Sequence, residues 1–191
     1  PMHRLLQGDV GSGKTVVSAL ALAKTAENGY QGCMMVPTEI LAQQHFETLT
    51  EYLGKQGLRV ELLTSSVKKA KRREILENLE LGEIDVLVGT HALIQDDVVF
   101  ARLALVVTDE QHRFGVDQRA KLSNKSQFAP DILVMTATPI PRTLALTIYG
   151  DLDTSMMQGK PVGRKPIETL CYTGEKRNAV YAGLVRQVQA G

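Results

Sequence analysis

Three short stretches of this chain gather groups able to do chemistry on a charged substrate. Gly8 to Thr15 reads GDVGSGKT, Asp109 to His112 reads DEQH, and Thr136 to Thr138 reads TAT. The first fits G-x-x-x-x-G-K-[ST] at every fixed position and lies between a strand-like and a helix-like segment, the context that confirms the motif. A chance match in a chain of 191 residues arises well under about 1% of the time at ordinary residue frequencies. The plain alternative is a glycine-rich turn that caps a helix, and the full match outweighs it. Each position of Gly8, Asp9, Val10, Gly11, Ser12, Gly13, Lys14 and Thr15 then belongs to a nucleotide-phosphate cradle. Backbone N–H groups from Gly11 to Lys14 can point inward at phosphate oxygens, at a helix N-terminus that favours negative charge. Gly11 and Gly13 permit close approach. Lys14 reaches the β- and γ-phosphates of ATP, and the Thr15 hydroxyl ligates Mg²⁺.

The second stretch ends the run LALVVTD, Leu103 to Asp109. A β-branched apolar run of this length reads as a strand buried on both faces. Two adjacent carboxylates at its end repel one another and cost solvation unless something uses them. An enzyme built on the phosphate loop needs a carboxylate at the end of a neighbouring strand to hold Mg²⁺, and Asp109 fits. It also needs a base or polariser for the attacking water, and Glu110 stands beside the metal position to serve. Alone, an Asp-Glu pair would be a solvated turn. With the loop present, the catalytic reading wins.

The elements that must position these groups alternate along the chain. HRLLQ, GCMMV, RVELLT, IDVLVG, LALVVTD and DILVMT read as strands. Helical patterns cover Lys14 to Glu27, Glu39 to Leu53 and about Val67 to Leu81. The first is apolar nearly all round (Val16, Val17, Leu20, Leu22), which predicts burial. The alternation gives an α/β fold with a mainly parallel sheet and helices on both faces, whose ligands bind at the carboxyl edge of the strands. Near Gly150 the texture changes. Residues 1–150 read as one motor-sized domain and 151–166 as a linker rich in glycine, proline and basic residues. Residues 167–191 hold a strand, IETLCYT, and a helix from about Glu175 to Gln189, read as the start of a second, incomplete domain.

Composition excludes more than it selects. The net charge is +1 and 43% of residues are apolar, so a sizeable core is affordable and any nucleic-acid surface must be local. Cys33 and Cys171 stand far apart without metal-ligand spacing, the pattern of a reduced, cytosolic protein. No signal peptide is visible, and no apolar run nears the roughly 18 residues a membrane span requires. The chain enters an apolar run almost at once and stops just after a helical pattern, which reads as a piece of a longer protein.

The set of Gly8–Thr15, DEQH and TAT resembles the first, RecA-like motor lobe of superfamily 2 helicases. VPTEILAQQHFE (Val36 to Glu47) is similar to their motif Ia and GTHALIQ (Gly89 to Gln95) to motif Ib. DEQHRFGVDQR, TATPIPRTLA and RLLQGDVGSGKT are closer still to the bacterial helicases that act on branched DNA, over nearly all of residues 1–150. The nearest rival is the transcription-repair coupling factor, whose typical members carry DEEH where Gln111 stands here. The resemblance implies roles for further residues. Gln111 and His112 would sense the nucleotide and pass its state to Thr136, Ala137 and Thr138. Pro37, Thr38, Gly89, Thr90 and His91 would lie along the DNA track, where backbone N–H groups and small hydroxyls touch phosphates without reading bases. Gln43 and Gln44 could join them or face solvent. The implied cofactors are ATP and Mg²⁺. The implied partners are branched DNA (forks and junctions), a second motor lobe and an upstream DNA-binding domain of the same chain. The parent is expected to act as a bacterial cytoplasmic monomer with no membrane partner.

Other features invite weaker readings. VKKAKRRE (Val67 to Glu74) is the densest basic run; it could grip a phosphate backbone, and a solvated helix face is the preferred reading. His3 and His45 have no partner at ligand spacing and read as structural. NKSQ (Asn124 to Gln127) is similar to a guanine-binding motif, but Gln127 replaces the required acid and no strand precedes it, so a GTPase is rejected. A small-molecule kinase or transporter ATPase would leave DEQH and TAT unexplained.

Superfamily 2 motors hold ATP between two lobes, the second supplying an arginine finger that contributes about 10³–10⁵ in rate, and no second lobe fits after Pro166. The 191 residues alone are therefore expected to fold, to bind MgATP weakly at best and to hydrolyse it negligibly. A steady-state phosphate-release assay checks this, and turnover at motor rates would refute it.

Overall fold

The structure is a computed structural model. It describes residues 1–109, 122, 125, 129–137, 152–157, 169 and 171–189. The chain divides into two compact units, Pro1–Pro161 and Val162–Gly191.

In the first unit the apolar runs form strands where their composition predicts them. These are β1 (His3–Gln7), β2 (Gln31–Met35), β3 (Val60–Leu63), β4 (Val86–Gly89), β5 (Leu103–Asp109) and β6 (Asp131–Thr136). Helices α1 (Lys14–Glu27), α2 (Glu39–Gly54) and α3 (Lys69–Glu80) connect β1 through β4. A further strand, β7 (Asp153–Met156), pairs with β1. It lies inside 151–166, the stretch that reads as a linker. The order is β3-β4-β2-β5-β6-β1-β7, and every described pair is parallel. The expected α/β class, a parallel sheet with helices on both faces, is what forms.

Period-2 alternation sorts the core into two layers. Met34 and Val36 join Leu105 and Val107 beneath α1 and α2, packed by Leu22, Leu49 and Leu53. Cys33 and Met35 point the other way, toward Ile75 and Leu79 of α3. Leu103 belongs with this second layer although Leu105 belongs with the first. The pairing register shifts between Gln31 and Gly32, where Leu103 and Leu105 become consecutive partners. One extra residue in β5 thus turns its start over to the opposite face. The break is bridged by Gln31 itself, 4% exposed. Its amide nitrogen donates to the carbonyls of Leu79 (3.0 Å) and Ile84 (2.8 Å), and its amide oxygen accepts from Arg102 N–H (2.9 Å). A buried amide so placed is well satisfied.

The expectation that α1 is buried all round is corrected. Ser18, Ala19, Leu22 and Ala23 are buried, while Val16, Val17 and Leu20 are exposed. A helix lying on one face of a sheet buries only the stripe that touches it, whatever its other side carries.

In the second unit a 3-10 turn (Gly174–Lys176) leads into α4 (Arg177–Gln189), near where the helix was expected. The expected strand IETLCYT is not found at its described residues: Thr169, Cys171, Tyr172 and Thr173 are exposed and outside regular structure. A strand needs a neighbour to complete its hydrogen bonds.

Burial of Cys33 pushes its thiol up to about 12, whereas Cys171 is exposed. At pH 8 iodoacetamide should label Cys171 within minutes and leave Cys33 unmodified until the protein is unfolded in urea, as read by peptide mass spectrometry. Native labelling of Cys33 at a comparable rate would contradict this packing.

Candidate nucleotide and metal site

All strands run the same way, so their carboxyl ends share one edge. Register locks the ends side by side. Gly89 pairs with Met35, Met35 with Thr108, Asp109 with Met135, and Thr136 with Gln7. The chain leaves this row into the phosphate loop after β1, into Pro37 and Thr38 after β2, into Thr90 and His91 after β4, and into Ala137 after β6.

The loop wraps as its glycines require. Gly11 and Gly13 have φ of 78° and 94°, values that L side chains rarely adopt. Gly13 caps α1 in the left-handed conformation. Ser12 N–H donates to the Asp9 carbonyl (3.1 Å), and Gly8 N–H donates to the Thr136 carbonyl (3.3 Å). Val10 N–H is held by the Asp9 side chain at 2.8 Å. Lys14 lies across the loop, its Nζ donating to the carbonyls of Gly8 (2.8 Å) and Asp9 (2.9 Å). The Ser12 hydroxyl oxygen is buried without a hydrogen-bond partner. Thr15, the second residue of α1, follows directly behind this cradle.

Asp109 closes β5 with its side chain 15% exposed. Between β5 and β1 lies β6, an offset of roughly 10 Å across two strand spacings. The intervening strand ends in Thr136, which is 3% exposed. The TAT segment therefore starts between the phosphate loop and the carboxylate. Glu110, Gln111, His112 and Thr138 lie outside the described residues.

Asp109 has a partner that its sequence neighbourhood does not reveal. His45 Nε2 stands 2.9 Å from Asp109 Oδ2. The partners are 64 residues apart, so no local spacing could have joined them.

Thr15 and Asp109 offer hard oxygen donors, a hydroxyl and a carboxylate, which suit a small divalent cation bound partly through substrate phosphates. Among the described residues no group of three or more His, Cys, Asp or Glu side chains could cage a metal.

The residues expected along a DNA track divide by exposure. Thr38 is exposed and caps α2, its hydroxyl accepting from Leu41 N–H at 3.3 Å, Pro37 is half-buried and His91 is exposed. Gly89 and Thr90 are buried. A Cβ at Gly89 would collide with the Leu63 carbonyl oxygen, so sheet packing fixes this glycine. Gln43 and Gln44 are exposed, and Gln43 bonds Glu47. Within the basic run, Lys71 pairs with Glu74 and Glu61, Arg73 with Glu77, and Arg72 with Asp97 while also bonding Gln95. Arg72 and Lys125 together pin the segment after His91, Lys125 donating to the carbonyls of Gln95 (2.6 Å) and Val98 (2.9 Å). Desolvation lowers the Lys125 pKa against the raising effect of Asp96 and Asp97.

Fold and loop define a RecA-like nucleotide-binding lobe, and residues 2–147 match the DEAD/DEAH box helicase family. The chain belongs to that family. Within it, the chain is 57% identical over 190 residues to the ATP-dependent DNA helicase RecG of Bacillus subtilis (strain 168), covering 100% of this chain and 28% of that protein. It is 56% identical over 191 residues to RecG of Synechocystis sp. (strain ATCC 27184 / PCC 6803 / Kazusa), covering 100% of this chain and 23% of that protein. A solved structure of RecG bound to a three-way DNA junction matches all of this chain and 25% of its own, with a TM-score of 0.83 at 47% identity. The chain thus spans about a quarter of the length of these relatives.

Gly89→Ala should lower stability by about 3 kcal/mol, the upper range for forcing an extra carbon into a packed core. Urea unfolding followed by circular dichroism measures it, and an unchanged midpoint would return Gly89 to the surface.

Proposed function

We propose that this chain is the ATP-binding motor lobe of a DNA helicase that remodels branched DNA, such as stalled forks and four-way junctions, with energy from ATP hydrolysis. The observation that carries the reading is the single row of strand ends, in which the phosphate loop, Thr136 and Asp109 stand beside the exits to Thr38 and His91. Loop N–H groups and Lys14 bind and orient the ATP phosphates. Thr15 and Asp109 would hold Mg²⁺, which when bound neutralises charge on the β- and γ-phosphate oxygens. Glu110 polarises the attacking water. Gln111 and His112 sense the nucleotide and act on Thr136, Ala137 and Thr138. Thr136 is supported in this role by the bond its carbonyl accepts from Gly8, which ties it to the phosphate loop.

Pro37, Thr38 and His91 form the accessible part of the DNA track, with phosphate contacts at the capped N-terminus of α2. Gly89 and Thr90 support that track from inside the fold. A second lobe and an upstream DNA-binding domain belong to the remainder of the protein, in keeping with the greater length of the relatives. The exposed apolar residues Tyr181, Leu184, Val185 and Val188 of α4 support 167–191 as the first piece of such a lobe. The identity to RecG proteins favours branched DNA over the plain duplex of a coupling factor.

The test is ATP hydrolysis by the full-length protein with no DNA, linear duplex, and a forked or four-way junction. Strong stimulation by the branched substrate is expected. Equal stimulation by linear duplex would point to a duplex translocase, and no response to any DNA would sink the motor reading. Lys14→Ala and Asp109→Asn should each abolish unwinding and cut DNA-stimulated hydrolysis by at least about 10²–10³-fold.

A further inference from the structure

The buried stripe of α2 is Ala42, His45, Leu49 and Leu53. Three of its members are apolar and face the sheet, as an amphipathic helix requires. The fourth is an imidazole with its side chain 11% exposed, at a place where a leucine would continue the stripe. A buried polar group costs stability unless it is hydrogen-bonded, and the partner of His45 is the carboxylate at the end of β5. A carboxylate that serves a metal ion is ionised and can only accept, so in that role the 2.9 Å contact has Nε2 as its donor.

We infer that His45 is a positioning residue for Asp109, holding its carboxylate in the orientation that a magnesium–nucleotide complex requires. The inference rests on the proposed role of Asp109 toward Mg²⁺. Carboxylates that serve metal ions are commonly oriented by an outer hydrogen bond, and losing that bond costs about 10–100-fold in metal affinity or activity. The bond also ties two elements that the sequence keeps apart. Helix α2 is capped by Thr38, on the side proposed for DNA, and two turns later it grips the residue proposed for the metal.

The experiment is a Mg²⁺ titration of fluorescent ATP-analogue binding by the full-length protein. His45→Leu keeps the stripe apolar and removes the donor. His45→Gln restores an N–H at a similar reach. In the leucine variant the Mg²⁺ concentration at half-saturation should rise about 10–100-fold, while analogue binding in EDTA stays as in the wild type. The glutamine variant should recover most of the shift. An unchanged Mg²⁺ midpoint in His45→Leu would overturn the inference. So would a loss of analogue binding in EDTA that equals the loss in Mg²⁺ and is not recovered by glutamine, since that is what a merely structural histidine gives. If the wild type itself binds the analogue without regard to Mg²⁺, the role assigned to Asp109 fails and the inference falls with it. That failure appears before any variant is made, whereas failure of the inference alone appears only in His45→Leu.

Discussion

Strand direction is the constraint on which the rest of the structure depends. Antiparallel strands would scatter carboxyl ends over both edges of a sheet. Here every described pair is parallel, so each crossover helix returns the chain to the same starting edge and each strand delivers its last residue to the same finishing edge. That one property brings Gly8, Thr38, Thr90, Asp109 and Thr136 to one edge, although Gly8 and Thr136 are 128 positions apart. The long apolar strands follow from it, because a sheet covered by helices on both faces must be apolar on both faces.

Among the described residues, several buried polar groups join elements. Gln31 joins α3, the turn after it and the start of β5. His45 joins α2 to β5. The Thr136 carbonyl joins β6 to the loop after β1. Each meets a partner that its burial demands, and each falls where a ladder, a register or a helix face is interrupted. Specificity of arrangement comes from these bonds, while the apolar layers supply most of the driving force.

Much of this was legible in the sequence because the signals are local. The strands HRLLQ, LALVVTD and DILVMT and the helix from Lys14 to Glu27 match the observed bounds, since apolar runs of strand length and a capping glycine are read a few residues at a time. The phosphate loop was legible for the same reason. What escaped was non-local. Asp153–Met156 carries no apolar alternation, and as an edge strand it needs only the backbone of β1. The exposed side of α1 looks in composition like its buried side, and only packing tells them apart. Gly89 resembles a motif residue, but its bareness answers to a carbonyl on β3. His45 could not be paired with Asp109 until the fold had closed the gap between them.

The edge strand β7 carries one more consequence, a mechanical one. It pairs with β1 through Gln7 and Met156, and the next residue, Met157, donates its N–H to the Gln7 carbonyl at 2.7 Å. Its side chain backs onto the loop, close enough that a carbon added at Gly8 would stand 3.0 Å from it. Tension on the polypeptide as it leaves Met157 is therefore borne by bonds to β1 loaded in shear, and the last of them sits one residue before the phosphate loop begins. The exit from β7 and the start of the glycine-rich loop thus share one anchor point at Gln7, so a pull on Met157 reaches that loop without crossing the rest of the sheet.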